Sequence, residues 1–522
     1  MVTLLATLPD DPPVSLDGTA LEVGDVVRVA RHGARVVLAR SAEEAIERGH
    51  AILREHAQNG ATIYGLTTGV GALDAAALSP EDNQAFQRNL LLSHAAGVGA
   101  PMPEECVRAM LLVRASVLAR GRSGVRLPVV RALLTMLDRR VHPYVPELGS
   151  VGASDLAALA HTALLLLGEG WAVASGERVP GAAAMKAKGI ALPELSGRDA
   201  FALINGPAQT LGTGALMLHD AMRLGRAAEM AAAMSMAGAK SRTDFLDPRL
   251  FDDPADPSAE SAHRLRELVR ARMRAGIGPA APAISPTSTV REPLSTRCAP
   301  MVFGAFHAAV ARAQKALRTE LNRTVDNPVL LADGALTNNA GTMHCAELAE
   351  SFDALTTSLT TLAHMSERRV HRLLDPAMNG GLPSFLVHPR AKAGLHSGLM
   401  IHHYTAAAIV SELRASASPA SIHSLPVGNG TEDHGSMGAL SARRAARAVT
   451  LAETVVAIEL FTAAQAVDLR AAGEADLELP PRLESLRRKL RSRVPVLIED
   501  RFAAADIESM VDFVRSNVAG DG

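Results

Sequence analysis

The chain is poor in the residues that mark several common functions. Its three cysteines, Cys106, Cys298 and Cys345, are scattered through 522 residues. That is too few and too dispersed for a disulfide framework or a cysteine-ligated zinc site. Aromatic residues make up 3% of the sequence, with one tryptophan and three tyrosines. Neither sign of charge is in excess, since 53 Lys and Arg face 55 Asp and Glu for a net charge of −2. A nucleic-acid binder would show a basic excess and aromatic stacking platforms, so that class is set aside. Long apolar runs are also missing. The best of them, Leu156 to Leu167, contains His161 and falls short of the roughly 20 residues a membrane span needs. The opening MVTLLATLPDDPP has no basic start and meets Asp10 and Asp11 before any full apolar stretch, so it does not read as a signal peptide. The expectation is a soluble, cytoplasmic protein in a reducing compartment.

What is abundant is helical periodicity. Leu348, Phe352, Leu355, Leu359 and Leu362 step 4, 3, 4, 3, which is heptad-like spacing. Leu211, Ala215, Leu218 and Met222 step the same way, and the pattern continues through Met230 and Met234. Residues 433–472 hold Ala, Leu and Val in helical register without an internal proline. A helix of about 35 residues spans about 52 Å, and such Ala-rich helices bury their stripes against one another. Strand signals are weak and lie near the start, at Val23 to Ala30 and Arg35 to Leu38. Residues 240–300 read as a long loop with one helix inside it, and 375–398 and 422–432 as further loops. Long loops in a helix-rich protein tend to be functional. The division expected is 1–205, a smaller mixed N-terminal region, and 206–522, a long-helix bundle with a helical C-terminal region. A short flexible end is expected at Ala519 to Gly522.

Five polar islands interrupt the helices. The first, Ile63 to Gly71, carries Tyr64 among glycines that match neither GxGxxG nor a P-loop. By itself it is equally a turn with a packed tyrosine. The second, Asn89 to Gly97, holds His94, and a lone helical histidine is more often structural. The third, Gly149 to Ala157, reads as a loop in which Ser154 or Asp155 caps the helix that follows. The fourth is Leu203-Ile204-Asn205-Gly206. The fifth runs from Ser424 to Met437 and contains Glu432-Asp433-His434. No metal site is expected, because His402-His403 and His344 beside Cys345 lack further partners at ligand spacing.

YGLTTGVG, QRNLLLSHAAGVG, SGVRLPVVRALL, GSVGASDLAALAH, NRTVDNPV, SERRVHRLLDP and EDHGSMG together resemble, in order, the signatures of the histidine and aromatic amino acid ammonia-lyase family. The resemblance spans about residues 15–515, and the SHAAGVG form is nearest to the histidine branch. It implies a mostly α-helical homotetramer with a central long-helix bundle and active sites built from three subunits, with Tyr64 and Glu432 from different chains. On that resemblance Tyr64 is the general base and Arg297 clamps a carboxylate that Asn205 steadies. His94 and Glu432 hold an imidazole ring. Lys392, in an apparent insertion, is a candidate for contacting a ring substituent and is otherwise a solvated loop lysine.

The chain also departs from the family pattern. Family members carry Ala-Ser-Gly, which cyclises to the electrophile methylidene-imidazolone (MIO). Here Ala153-Ser154 is followed directly by Asp155-Leu156, so a glycine is missing. Leu294 stands where the family has a second catalytic tyrosine, Thr431 where it has glutamine, and Pro207-Ala208 replaces Thr-Gln. These departures lead to the expectation of no MIO and no other cofactor. A substrate whose amine is already quaternary needs less activation. The reading is therefore an MIO-independent carbon–nitrogen lyase, resembling ergothionase, that expels trimethylamine from a histidine betaine such as ergothioneine or hercynine. The alternatives are a conventional histidine ammonia-lyase, converting histidine to urocanate and ammonia, and an inactive family member.

Overall fold

A computed structural model describes residues 12–253, 255–274, 291–473 and 479–517. The opening segment 1–11, the Pro- and Gly-rich stretch 275–290 and the end at Ala519 to Gly522 lie outside the described residues. The fold is mostly helical, with short strands confined to four small sheets. The heptad-like stretches form long helices, Ala208–Gly238, Ala299–Leu321, Ala346–Leu374 and Gly438–Gly473. The last has 36 residues, close to the length its pattern predicts. It is long and apolar enough to cross a membrane, yet 83% of its apolar window is buried within the protein. That is the pattern of a core helix.

Two early expectations need correction. Val23–Ala30 is a helix, and only Val36–Leu38 of the second segment is a strand. Glu22 and Asp25 form a reciprocal capping box at the helix start, and local capping outweighs the β-branched run. Val26, Val27, Val29 and Ala30 are then buried. The second concerns Asp155, which makes no side-chain cap on its own helix Leu156–Ala163. Its carboxylate instead accepts from Thr210 N at 2.9 Å, in the first turn of Ala208–Gly238. Asp155 thereby ties a distant helix start to its own loop.

The chain divides into two compact units. The first comprises Met1–His219, Ala313–Asp353 and Pro419–Arg444. At its centre is Glu104–Ala119, a helix buried from Cys106 to Ala119. Within it the buried Arg108 donates to Ala30 O, Val29 O and Leu137 O. One guanidinium thus satisfies carbonyls at the ends of two helices that would otherwise be orphaned. Gly212 permits close helix crossing, since a Cβ there would lie 2.8 Å from Met110 N.

The second unit comprises Asp220–Arg312, Ala354–Ser418 and Ala445–Gly522. Its helices share buried charge as well as apolar stripes. Glu459 is fully buried. It accepts from Arg369 Nε at 2.5 Å, Arg369 Nη2 at 2.9 Å, Ser235 Oγ at 2.8 Å and Ser366 Oγ. All of its acceptor capacity is used, which makes a buried carboxylate tolerable.

Candidate active site

Tyr64 is held from three sides. Its backbone N–H donates to Asn338 Oδ1 at 3.1 Å, while Asn338 Nδ2 donates to Thr62 O at 2.8 Å. Its ring meets Phe201 edge-on at 5.4 Å. Its Oη accepts from Gly71 N at 2.6 Å. The glycine after it is required there. Gly65 has φ +70°, and a Cβ would fall 2.7 Å from the Phe201 ring. Burial, the largest cause, raises the Tyr64 phenol above its ordinary value. The Gly71 amide lowers it, Glu432 and Asp74 raise it, and Arg198 lowers it. Desolvation of the phenolate thus outweighs the cation nearby.

Glu432 lies in the same unit, near enough for its charge to act on that phenol. Within one chain the two are thus in electrostatic reach, whereas the expectation placed them on different chains. The segment around Glu432 is tied to the third polar island by backbone. Met437 N donates to Val151 O at 3.0 Å, and Ser436 Oγ donates to Gly152 O at 3.1 Å. Gly152 has φ +83°, and a Cβ on it would lie 2.3 Å from Ser436 Oγ. Beside Glu432, His434 Nδ1 and His344 Nε2 share a hydrogen bond of 2.9 Å.

Asn205 sits deep in the same unit, 4% exposed. Its amide donates to Asp326 Oδ1 at 2.8 Å and Asn327 O at 3.0 Å, and its oxygen accepts from Ser154 Oγ at 2.8 Å. Both of its N–H groups are committed within the protein, so none is left for a substrate carboxylate. His94 closes the helix Asn83–His94, with Nδ1 at 2.9 Å from Leu90 O, and burial lowers its pKa. Its ring is therefore neutral near pH 7, with Nδ1 donating to the carbonyl and Nε2 left as an acceptor.

The first unit thus holds Tyr64, His94, Ala153, Ser154, Asn205 and Glu432, while Arg297 and Lys392 belong to the second. Arg297 ends the short helix Leu294–Arg297, and its Nε is buried without a partner among the described residues. The neighbouring turn is pinned within that unit, because Ser295 O accepts from Arg369 and Thr296 Oγ1 from Arg372. Lys392 is exposed in a turn whose carbonyl accepts from Leu395 N and His396 N. Phe201, Asn338, Arg198 and Asp326 were not among the sequence candidates. Only Asp326 had a signal, as part of NRTVDNPV.

The comparisons now decide the family. The aromatic amino acid lyase model matches residues 21–492. The chain belongs to that family. It is 38% identical to histidine ammonia-lyase of Treponema denticola over 97% of both chains. It is 41% identical to that of Gloeobacter violaceus, over 96% of this chain and 95% of the relative. Among solved structures, histidine ammonia-lyase from Trypanosoma cruzi superposes with a TM-score of 0.86 at 32% identity, covering 97% of this chain and 94% of the other. Ergothionase, the ergothioneine-degrading enzyme of Treponema denticola, superposes with a TM-score of 0.87 at 26% identity, over 98% and 100%. The histidine ammonia-lyase relatives are carbon–nitrogen lyases, and that is this chain's class.

Two expectations fall with these findings. The betaine-directed, trimethylamine-expelling reading is corrected, because full-length relatives at 35–41% identity are histidine ammonia-lyases while ergothionase is more distant at 26%. The expectation of no cofactor is corrected on the same ground, because histidine ammonia-lyases of this family use MIO formed from their own chain. A single missing glycine was given more weight than it can bear. The loop meets one demand of such a group, a tight backbone: Ser154 has φ +65°, and Gly152 pairs with Ser154 across the turn. It departs at the third position, where Asp155 stands and its N–H donates to Gly206 O at 2.9 Å. No step below is derived through the group.

Proposed function

We propose that this chain eliminates ammonia from L-histidine to give urocanate. What carries the reading is the full-length identity of 35–41% to proteins named histidine ammonia-lyase, set beside a loop-borne tyrosine under the influence of a glutamate. In such enzymes MIO supplies the electrophile that makes the elimination feasible. The chain's own residues bind, orient and move protons. Tyr64 exchanges the β-proton, with its oxygen fixed by the Gly71 amide. His94, neutral and with one ring nitrogen bonded to Leu90 O, presents its other nitrogen to the imidazole N–H. Glu432 carries a negative charge for the same ring. Arg297, which the family resemblance assigns to the carboxylate, carries a planar fork suited to it, and its buried Nε has no partner among the described residues. Lys392 suits only a ring substituent that histidine does not have, and it has no role here. A homotetramer in the cytoplasm is the assembly and location that suit the reading.

The test is purified full-length protein with L-histidine, followed by urocanate absorbance and released ammonia. Equimolar urocanate and ammonia support the proposal. Inertness towards histidine, with an acrylate formed from tyrosine or phenylalanine, would overturn it.

A further inference from the structure

His161 is a half-buried histidine that the proposed chemistry does not use. It stands in the last turn of the helix Leu156–Ala163, and its Nε2 lies 3.2 Å from Gly97 N. Gly97 follows His94 by three residues, in the turn that leaves the helix Asn83–His94. The main-chain N–H groups of that turn can be followed one by one. Ala95 N donates to Leu91 O at 3.1 Å, and Ala96 N to His94 O at 2.8 Å. Gly97 N donates to the His161 ring instead of a carbonyl. From Val98 the chain is a strand, paired with Leu148.

Close approach holds the same turn. A Cβ on Gly97 would lie 3.2 Å from both His161 Nε2 and Leu148 O. One on Gly149 would lie 3.2 Å from Gly97 Cα and 3.1 Å from Ala157 Cβ. The turn after His94 therefore sits directly against Gly149 and the helix face that carries Ala157 and His161, four residues apart. None of these contacts involves Ala153 or Ser154, so they are made whether or not that pair is cyclised.

The contact admits one state of the ring. A backbone N–H only donates, so Nε2 must be without a proton and the single ring proton sits on Nδ1. Burial, the largest cause, lowers the His161 pKa and keeps the ring neutral near pH 7. Helix ends fray unless the chain beyond them is tied down. His94 is such an end, so the anchor at Gly97 decides how steadily its ring is presented.

We propose that His161 is a positioning residue: by accepting the Gly97 amide it fixes the turn behind His94, and with it the direction in which the His94 ring meets the substrate's imidazole. The proposal rests on the histidine reading for its kinetic arm alone. The experiment compares His161→Leu, which removes the acceptor, with His161→Gln, whose side-chain carbonyl replaces it, in the full-length enzyme. Amide exchange is read by mass spectrometry with residue-resolved fragmentation. In His161→Leu the Gly97 amide should exchange about three- to tenfold faster, as for one lost hydrogen bond, while the amides of Leu90 and Leu91 keep their protection. His161→Gln should restore Gly97 to within about twofold of the wild type. On histidine, KM should rise about three- to tenfold in His161→Leu with kcat changed less than about threefold, because a ring contact acts on binding. His161→Gln should recover KM, and in a His94→Ala background His161→Leu should move KM less than about twofold. Unchanged Gly97 exchange in His161→Leu, equal acceleration along the whole helix Asn83–His94, no recovery in His161→Gln, or equal KM losses in both backgrounds would overturn the proposal. If His161→Leu does not fold, His161→Asn, whose shorter side chain stops short of Gly97 N, takes its place and the same pattern is required. Should the wild type leave histidine untouched, the functional reading fails and amide exchange decides this proposal alone.

Discussion

The two units both bury an arginine against a carboxylate, and they use the pair differently. In the second unit Glu459 takes four hydrogen bonds from side chains of long helices, those of Ser235, Ser366 and Arg369. Its surroundings are regular backbone that already satisfies itself. In the first unit Arg198 and Arg114, both paired with the buried Asp326, make four hydrogen bonds to the backbone carbonyls of Ser123, Asn327, Ala202 and Asn205, and Asp326 accepts an N–H from Asn327. There the charges replace the hydrogen bonds that irregular chain does not make for itself. A buried pair between helices fixes packing, whereas one among loops fixes where loop side chains point.

That contrast can be broken by experiment, starting with the largest effect. Tyr64→Phe keeps the packing on Phe201 but removes the oxygen that exchanges a proton. We expect kcat to fall about 10²–10⁴-fold, or about 3–5 kcal/mol of barrier, with substrate binding retained by calorimetry. A variant that keeps most of its kcat would leave Tyr64 a packing residue. Glu459→Ala should do the converse, costing about 3–5 kcal/mol of stability by leaving Arg369 buried and unpaired. It should be read by denaturant unfolding, and a stability cost below about 1 kcal/mol would show that the helices hold without the pair.

Arg297→Met tests the carboxylate clamp. Losing charge-assisted bonds worth about 1.5–3 kcal/mol should lower kcat/KM roughly ten- to a hundredfold, with KM raised. The pH profile is subtler. Because the Tyr64 phenol titrates above its ordinary value, it stays protonated near neutrality, and its proton-accepting form grows as pH rises. The logarithm of kcat/KM on histidine should climb by about one per pH unit on the alkaline side of neutrality. Glu432→Gln, which removes a neighbouring negative charge, should move the inflection down. A profile that falls with alkali would rule out Tyr64 as the base. The smallest effect belongs to Arg40→Ala, whose partner Glu44 and own side chain are largely exposed. Its stability cost should stay within about 0.5 kcal/mol and vanish in high salt.

Much of this was legible in the sequence, and the parts that were not have definite physical reasons. The helix Gly438–Gly473 and the heptad-like run in Ala346–Leu374 follow from apolar spacing alone. Tyr64 and Glu432 stand out because glycine-rich and acidic islands interrupt those patterns. Val23–Ala30 carries β-branched residues that suggest a strand, but the capping pair beside them makes it a helix. Asp326 was visible as part of a signature but without a purpose, since its partners lie at positions 114, 198 and 205. No local pattern encodes such a meeting. The missing glycine is the opposite case, a loud local signal that full-length identity outweighs.

The tie between Gly152 and Ser436 joins residues 284 positions apart. During synthesis the Tyr64 loop, the Ser154 loop and the Asp326 turn all emerge before Ser436 exists. Until then Gly152 has no partner for its carbonyl, and the surface that Glu432 will cover stays open. At about 5–20 residues per second that interval lasts on the order of 15–60 s, long enough for a nascent chain to meet chaperones or other copies. Truncation anywhere before Met437 should therefore yield a protein rich in helix and without a site.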